Sequence, residues 1–318
     1  MAQATGAASK VLLGFQADAT TVATDGFVMP VNKSNLKSNR NQITPATIRG
    51  NLNPTEPSDG NLSVSGGIDI PVDSIAMWYW LKAAFGAPTT TGAGSPFTHV
   101  FKAGDPLAPR PYFTIEHQFL DLAIPEYFLY TGCKINSMSL SMGADAELVA
   151  TLNTVAISET PGISSFDAAP TTVTMSRLKN NQMTLKEGGS AIANAKTLDC
   201  TISWNCDTDQ YVIGGGGSLG SVPDGVMTAE GNLSSLFQDM SLLTKAMNST
   251  ESSLEATFSA SASSSLALKF PEIKYTRNSP GIEGPKGIVV NLPYGAYYDN
   301  AVEGTSVQAT LINTEAHA

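Results

Sequence analysis

One stretch of the sequence decides the fold class: Lys134-Ile135-Asn136-Ser137-Met138-Ser139-Leu140-Ser141-Met142. Polar and apolar residues alternate along it, which places Ile135, Ser137 and Ser139 on one face and Asn136, Met138, Leu140 and Met142 on the other. A period of two is typical of a β-strand with one buried face. Residues 147–155 alternate in the same way after a short turn at residues 143–145, so the two stretches are predicted to form a hairpin.

Similar alternation recurs on both sides of this hairpin, and the sequence therefore predicts a mainly β protein. The further candidate strands are residues 112–119, 198–204, 225–230, 253–260, 265–270, 287–292 and 306–312.

Two segments have helical spacing instead. In the first, Asp73 is a candidate N-cap and Gly86 a candidate end. In the second, Ser235 and Gln238 have the spacing of a capping box. Both helices are expected to pack on a sheet through an apolar stripe. The stripes are Ile75, Trp78, Leu81 and Phe85 in the first helix and Leu236, Met240, Leu243 and Met247 in the second.

The order strand, helix, strands occurs twice in 318 residues, a length that also suits two domains. We therefore expect two tandem domains of the β-sandwich or barrel-like type, each flanked by one α-helix. The first would comprise residues 1–160 and the second residues 161–318, joined in the linker-like stretch 159–165. A single large all-β domain is the alternative.

The chain carries 18 basic and 28 acidic residues, which gives a net charge of −10. A protein that reads DNA sequence needs a basic surface, so this class is disfavoured. No apolar run reaches the length of a membrane span, and the first residues do not resemble a secretory signal. We therefore expect the three cysteines, Cys133, Cys200 and Cys206, to be free thiols.

No catalytic constellation is evident in the sequence. The run from Gly215 to Gly220 matches the pattern of a dinucleotide-binding loop, but a turn follows it where that motif needs a helix. His99, His117 and His317 are scattered, and no Cys/His spacing resembles a zinc site. The sequence therefore predicts no catalytic, cofactor-binding or metal-binding residues.

One segment is basic in this acidic chain. Between Asp25 and Glu56 there is no acidic residue. The basic residues of the segment are Lys33, Lys37, Arg40 and Arg49. It is either a solvated flexible loop or, as we prefer, a positive arm that docks on the negative surface of a neighbouring copy.

Several motifs follow one another in the first half. The basic segment ends at Thr44-Pro45-Ala46-Thr47-Ile48-Arg49-Gly50 and is followed by the first helix. After the helix come Phe97-Thr98-His99-Val100-Phe101 and then Tyr130-Thr131-Gly132-Cys133-Lys134-Ile135-Asn136. This succession resembles the major tail tube proteins of long, non-contractile-tailed, siphovirus-type bacteriophages. The resemblance is clearest over residues 40–156 and is one of pattern over residues 170–315.

The resemblance implies a structural virion protein, without enzymatic activity or cofactors, that forms stacked rings around a lumen for DNA ejection. It implies a loop that contacts the next ring, and this loop maps onto the basic segment at about residues 31–60. The expected inter-ring contact residues are Lys33, Lys37, Arg40 and Arg49. An acidic lumen suits this role because affinity for duplex DNA comes mainly from lysine and arginine at the phosphates.

The resemblance also implies partners. These are further copies of the chain, tail terminator and distal tail proteins, and, in the lumen, the tape measure protein followed by genomic DNA without sequence-specific binding. No membrane insertion is expected, and the location is the virion tail after assembly in the host cytoplasm. Rings of this family usually contain six domains, so a two-domain chain predicts a trimeric ring with pseudo-sixfold symmetry. A hexamer of one elaborated domain is the alternative.

Two other classes of function remain open from the residues alone. A virion or surface adhesin, or another carbohydrate-binding β-protein, would need aromatic residues on exposed strand faces, whereas Trp78 and Trp80 fall on a predicted core helix. An enzyme on a β scaffold would need acidic residues or histidines that converge.

Overall fold

The computed structural model describes residues 3–105, 107–143, 145–282 and 284–317. These residues form a mainly β protein, as the alternating pattern predicts. The strands of the first half are β1 (Ser9–Phe15), β2 (Phe27–Val28), β3 (Lys33–Ser34), β4 (Lys37–Ile43), β5 (Ser58–Pro71), β6 (Thr89–Thr91), β7 (Phe97–Lys102), β8 (Phe113–Phe119), β9 (Glu126–Met142), β10 (Val149–Ala156) and β11 (Ser158–Gly162). The later strands are β12 (Thr171–Thr172), β13 (Met183–Glu187), β14 (Ser190–Ala191), β15 (Ala195–Ser203), β16 (Thr228–Leu236), β17 (Ser252–Ser261), β18 (Ser264–Tyr275), β19 (Val289–Tyr297) and β20 (Gln308–Asn313). The helices are α1 (Met77–Phe85) and α2 (Ser241–Met247), and 3-10 turns lie at Gly6–Ala8 and Asn180–Gln182.

One continuous antiparallel sheet, which we call the long sheet, runs through both halves of the chain. Its order is β4–β5–β10–β9–β15–β16–β19–β18. β3 extends the edge beside β5, and β18 also pairs with β17 and β20. The predicted hairpin is confirmed as the pair β9–β10, although Ala144 of its turn lies outside the described residues.

A second sheet has the order β12–β2–β1–β8–β9–β11 and packs on the long sheet. Leu13 and Ile115 of this sheet share one hydrophobic core with Ile68 and Leu152 of the long sheet. Because alternate residues of each strand point into this core, the two sheets form a sandwich in the first half of the chain.

β9 belongs to both sheets, and its irregular middle explains a wrong detail of the sequence prediction. Gly132 has φ +65°, which favours glycine where the strand turns from one sheet into the other. The pairing with β10 then shifts by one residue at Asn136, as in a β-bulge. Ile135 is therefore buried and Asn136 only half-buried, the reverse of the alternation assumed for these two positions. Beyond the bulge, Met138, Leu140 and Met142 are buried as predicted.

The first helix agrees with its prediction at its C-terminal end but not at its N-terminal end: it begins at Met77, its N-cap residue is Ala76, and no side chain caps it. Asp73 Oδ1 accepts hydrogen bonds of 2.6 Å from the backbone N–H groups of Ile75 and Ala76, in the turn that leads into α1. Gly86 ends the helix with φ +94°. α1 packs against β9 and β7. The predicted stripe residues Trp78, Leu81 and Phe85 are buried, and Ile75 is half-buried.

The second helix differs from its prediction. Ser235 and Leu236 belong to β16, so Ser235 and Gln238 do not form a capping box. Asp239 is the residue that binds the first turn, through a 2.7 Å hydrogen bond that the Ser241 N–H donates to its Oδ1. The predicted stripe is also wrong in three of four positions, since Leu236, Met240 and Met247 are exposed. The residues of α2 that are buried are Leu242, Leu243 and Ala246.

The halves of the long sheet share one strand order. In the first half the order is β4–β5–β10–β9, and in the second it is β15–β16–β19–β18. In each half a helix directly follows the second strand, α1 after β5 and α2 after β16. The predicted linker 159–165 begins within β11, which is hydrogen-bonded to β9, and the division into domains 1–160 and 161–318 stays a prediction. Neither helix of the described chain is long and apolar enough for a membrane crossing.

Candidate functional site

The side of the long sheet that faces away from the core is an extended polar surface, which we call the open face. Six strands contribute to it through the residues that alternate with the buried ones. These residues are Asn61, Ser63, Ser65 and Asp69 of β5, Thr151 and Asn153 of β10, Ser137, Ser139 and Ser141 of β9, Thr197, Asp199, Thr201 and Ser203 of β15, Thr228, Glu230, Asn232 and Ser234 of β16, and Asn291 and Pro293 of β19. None of these residues is basic. Lysines do border them on the same side of the long sheet: Lys37 of β4 lies opposite Ser65, and Lys274 of β18 lies opposite Gly295. Lys196 is exposed at the register shift near the start of β15.

Hydrogen bonds across the strands order this surface. Ser141 donates to Asp199 Oδ1 at 2.6 Å, across the β9–β15 pair. Thr151 donates to Asp69 Oδ1 at 2.7 Å, across β10 and β5. The carboxylates are thus held in place by hydroxyl groups at the surface. A solute that meets the open face encounters hydroxyls, amides and carboxylates.

The four predicted contact residues are not brought together in one cluster. Lys33 lies opposite Asp69 and Lys37 opposite Ser65, so both stand at the margin of the open face. Arg40 lies opposite Leu62, and its guanidinium is 3.6 Å from the Asp59 carboxylate. Arg49 lies far from these three, in the loop of residues 44–57 at the other end of β5, where it donates to the backbone oxygens of Asn53 and Pro54.

The loop of residues 44–57, which we call the basic loop, joins β4 to β5 and is almost entirely exposed. Ile48 and Leu52 flank Arg49 and are fully exposed to solvent. The tip of the loop thus presents two large apolar side chains to solvent, one on each side of Arg49. The basic segment predicted from the sequence is therefore a β-hairpin with a projecting loop, and this geometry is compatible with an arm.

A second long loop, residues 205–227, folds across one end of the open face. Leu219 and Val222 are buried against Val155 and Ile157. The loop also bonds to β5, where the Leu62 N–H donates to the Gly217 carbonyl at 2.8 Å. Gly215 to Gly220, the glycine-rich run of the sequence, lies within this loop, and no helix begins there.

A buried ion triad anchors this second loop. Asp224 contacts Arg110 Nη2 at 2.5 Å and Lys134 Nζ at 3.2 Å, and both basic side chains are almost fully buried. Burial alone would raise the pKa of Asp224, but hydrogen bonds and charge from Arg110 and Lys134 hold it below its ordinary value. Sequence reasoning missed the triad because its members are distant in the chain and belong to no motif.

The cysteines and histidines have structural roles. The three thiols are free, and burial raises the pKa of the Cys200 thiol to about 12. The structure brings two of the scattered histidines together, since His317 stacks on Trp78 and lies 5.5 Å from His99 between ring centres. Burial lowers the pKa of His117 and of His317 to about 4, so both are neutral at pH 7. Within the described ranges no cluster of His, Cys, Asp or Glu has the geometry of a metal site.

Comparison with known proteins identifies the family of the chain. Comparison with the curated proteins finds no match. A family model described as "phage tail tube protein" matches residues 6–296, which include the long sheet, both helices and both long loops. The chain therefore belongs to the phage tail tube protein family and is a structural protein of the virion tail, not an enzyme.

Proposed function

We propose that this chain polymerises as stacked rings into the tail tube and that the open face lines the lumen through which DNA leaves the virion. The observation that carries the proposal is the chemistry of that face, where the residues that alternate with the buried ones are neutral or acidic over six adjacent strands and Lys196, at the register shift of β15, is the exposed exception. DNA is held by proteins mainly through cations at its phosphates. A wall that offers hydroxyls and carboxylates lacks this attraction, so duplex DNA can slide along it.

The proposed ring contains three chains with pseudo-sixfold symmetry. The support is the repeated order of strands, because two equivalent four-stranded units per chain would give six units in a trimer. A hexamer remains the alternative. Native mass spectrometry of one isolated ring separates the two, since the trimer predicts three chain masses and the hexamer six.

The proposed inter-ring contact is the basic segment at about residues 31–60. The basic loop projects from the sheet with Ile48, Arg49 and Leu52 at its tip. In a chain of net charge −10, a positive loop finds negative charge on any neighbouring copy. Lys33, Lys37 and Arg40 provide the remaining positive charge of the segment, nearer the sheet.

The partners at the tube ends and in the lumen follow from the same proposal. Tail terminator and distal tail proteins would close the two ends, and the tape measure protein would fill the lumen before the genomic DNA. Assembly would take place in the host cytoplasm. The tryptophans do not support the carbohydrate-binding alternative, because Trp78, Trp80 and Trp204 are all buried and offer no exposed aromatic surface.

Negative-stain electron microscopy of the purified protein tests the proposal. We expect rings, or tubes with a uniform bore, as protein concentration is raised. A protein that stays monomeric at every concentration and ionic strength, and adds neither to itself nor to preformed tail tubes, would contradict it.

A further inference from the structure

Two margins of the long sheet remain without a neighbouring strand in the described chain. At one end, β3 and β4 pair with β5 and with no other described strand. At the other end, residues 276–281 follow β18 and are exposed apart from the half-buried Pro280; the Thr276 N–H donates to the Pro293 carbonyl at 2.7 Å and continues the pairing with β19 by one residue. Unpaired strand margins template pairing with another chain.

The two halves of the long sheet can be aligned residue by residue. Gly66 of β5 leaves room for the Asn35 carbonyl, which would stand 2.3 Å from an added Cβ. Gly231 of β16 does the same for the Asp199 carbonyl, at 1.9 Å. Only glycine permits so close an approach of the neighbouring backbone. The two glycines therefore mark equivalent positions.

This alignment extends over the neighbouring strands. It places Ile68 with Leu233, and it places their partners Leu152 and Leu292 at equivalent positions of β10 and β19. On the outer strands, Ser38 takes the place of Ile202, because they lie opposite Val64 and Ala229 respectively.

At the far margin, Arg277 takes the place of Met138. Met138 lies opposite Leu152, and Arg277 comes opposite Leu292 when the register of β18 and β19 is continued by two residues. The unpaired segment 276–281 therefore corresponds to residues 137–142 of β9, which pair with β15 inside the chain.

We infer that the pairing of β9 with β15 is repeated between chains. Residues 276–281 of one copy add as an antiparallel strand to residues 34–39 of the next. Inside the chain, Met138 lies opposite Ile202 and Ser139 opposite Thr201. The equivalent contacts between copies are Arg277 opposite Ser38 and Asn278 opposite Lys37. This inference rests on the proposed assembly into rings and specifies the partner, the edge and the register.

The receiving edge already carries groups that suit this strand. It borders an open groove of about 660 Å³ whose other wall includes Tyr130 and Glu159. In the single chain, Tyr130 donates to the Leu36 carbonyl at 3.0 Å, and Glu159 accepts from the Ser38 N–H at 3.0 Å. Side chains of the same chain thus form hydrogen bonds with the backbone groups to which an added strand would be hydrogen-bonded.

Charge complementarity supports the same register. Ser38 faces the core side of the sheet, where Glu159 meets it, and Arg277 would point to that side at the same position. When a backbone carbonyl of the added strand accepts the hydrogen bond of the Ser38 N–H, the Glu159 carboxylate becomes available for the Arg277 guanidinium. A carboxylate and a guanidinium form a strong hydrogen-bonded pair.

Disulfide cross-linking tests the register. In a Cys206→Ser background, Lys37→Cys is combined with Asn278→Cys, because directly opposite residues have the spacing that a disulfide needs. Mild oxidation of assembled rings is expected to give covalent multimers of the chain on a non-reducing gel. The control pair, Lys37→Cys with Thr276→Cys, lies two residues out of register and is expected to cross-link at least tenfold less. Equal cross-linking of both pairs would overturn the inferred register.

A charge exchange provides a second test that does not depend on cysteines. Arg277→Glu is expected to abolish ring formation, and adding Glu159→Arg is expected to restore it. Lys286→Glu makes the same change of charge in the same loop and is expected to assemble like the parent. Failure of the double variant to recover would contradict the ion pair. Rings without the 37–278 cross-link would overturn this strand pairing and leave the proposed function standing, whereas a parent chain that forms no rings would contradict both.

Discussion

Asp73 shows how one residue couples the fold to pH. Its carboxyl group is buried beneath the turn that begins α1, where it accepts hydrogen bonds from two backbone N–H groups. Burial raises its pKa from 3.8 to about 6, although the backbone donors act in the opposite direction. The pKa in the folded chain lies above that in the unfolded chain, so this group stabilises the fold at low pH. The contribution is lost as the pH rises from about 4 through 6.

We predict that Asp73→Asn makes stability less dependent on pH in this range. The amide oxygen can still accept the backbone hydrogen bonds but carries no charge to bury. A pKa difference of this size corresponds to a free energy on the order of 3 kcal/mol. Urea unfolding of the single chain at pH 4.5 and 7.5 measures it, and the variant should gain clearly more stability over the parent at pH 7.5 than at pH 4.5. The same gain at both pH values would contradict the buried charge.

At the scale of elements, the two helices show what sequence patterns can and cannot fix. α1 was predictable because its stripe and its final glycine lie within one continuous segment, although Asp73 bonds the turn before the helix and does not cap its first turn. α2 was not, because Ser235 and Leu236 are held in β16 by neighbours from β15 and β19 that are distant in sequence. Long-range pairing overrides a local capping pattern.

The loop of residues 205–227 owes its position to the Arg110–Lys134–Asp224 triad, and a substitution can test this. Asp224→Asn leaves two buried cations without their carboxylate, which costs about 3 kcal/mol. We expect a lower melting temperature and faster proteolysis within residues 211–220. Asp209→Asn, in the same loop but exposed, serves as the control and should change neither. Equal protease resistance of the Asp224 variant and the parent would show that packing alone holds the loop.

The basic hairpin allows a test of charge. We predict that Lys33→Glu, Lys37→Glu and Arg40→Glu together leave the fold intact but block the stacking of rings, since the positive charge meets a negative neighbour. Circular dichroism checks the fold, and electron microscopy measures tube length. Glutamates at Lys10, Lys102 and Lys179 make the same change of net charge at exposed positions elsewhere. Tubes of normal length from the hairpin variant would contradict its role.

For the whole molecule, the polar and acidic character of the open face was predictable from the sequence, but the number of strands that form it was not. Alternation in residues 137–142 indicates one polar face on β9, and the net charge indicates an acidic protein. That six such strands lie side by side depends on the pairing of β9 with β15, residues about sixty positions apart in the chain. The same holds for the bulge at Asn136, which has no local signature.

Lysines introduced on the open face should increase the binding of duplex DNA to the tube. We predict that Ser139→Lys with Ser234→Lys, on β9 and β16, still allows tubes to form but increases retention of short duplex DNA on the order of tenfold at low salt. Retention should fall steeply as salt is added. Thr89→Lys with Thr184→Lys, at exposed positions outside the open face, is the control. Co-sedimentation of tubes with labelled DNA is the measurement, and equal retention by both variants would show that the open face does not meet the DNA.

The most direct test of the account is a cryo-EM reconstruction of the assembled tube at side-chain resolution. We predict that Asp69, Asp199 and Glu230 face the bore, with the serines and threonines of the open face between them. A bore lined by lysines and arginines, or an open face turned to the outside of the tube, would contradict it.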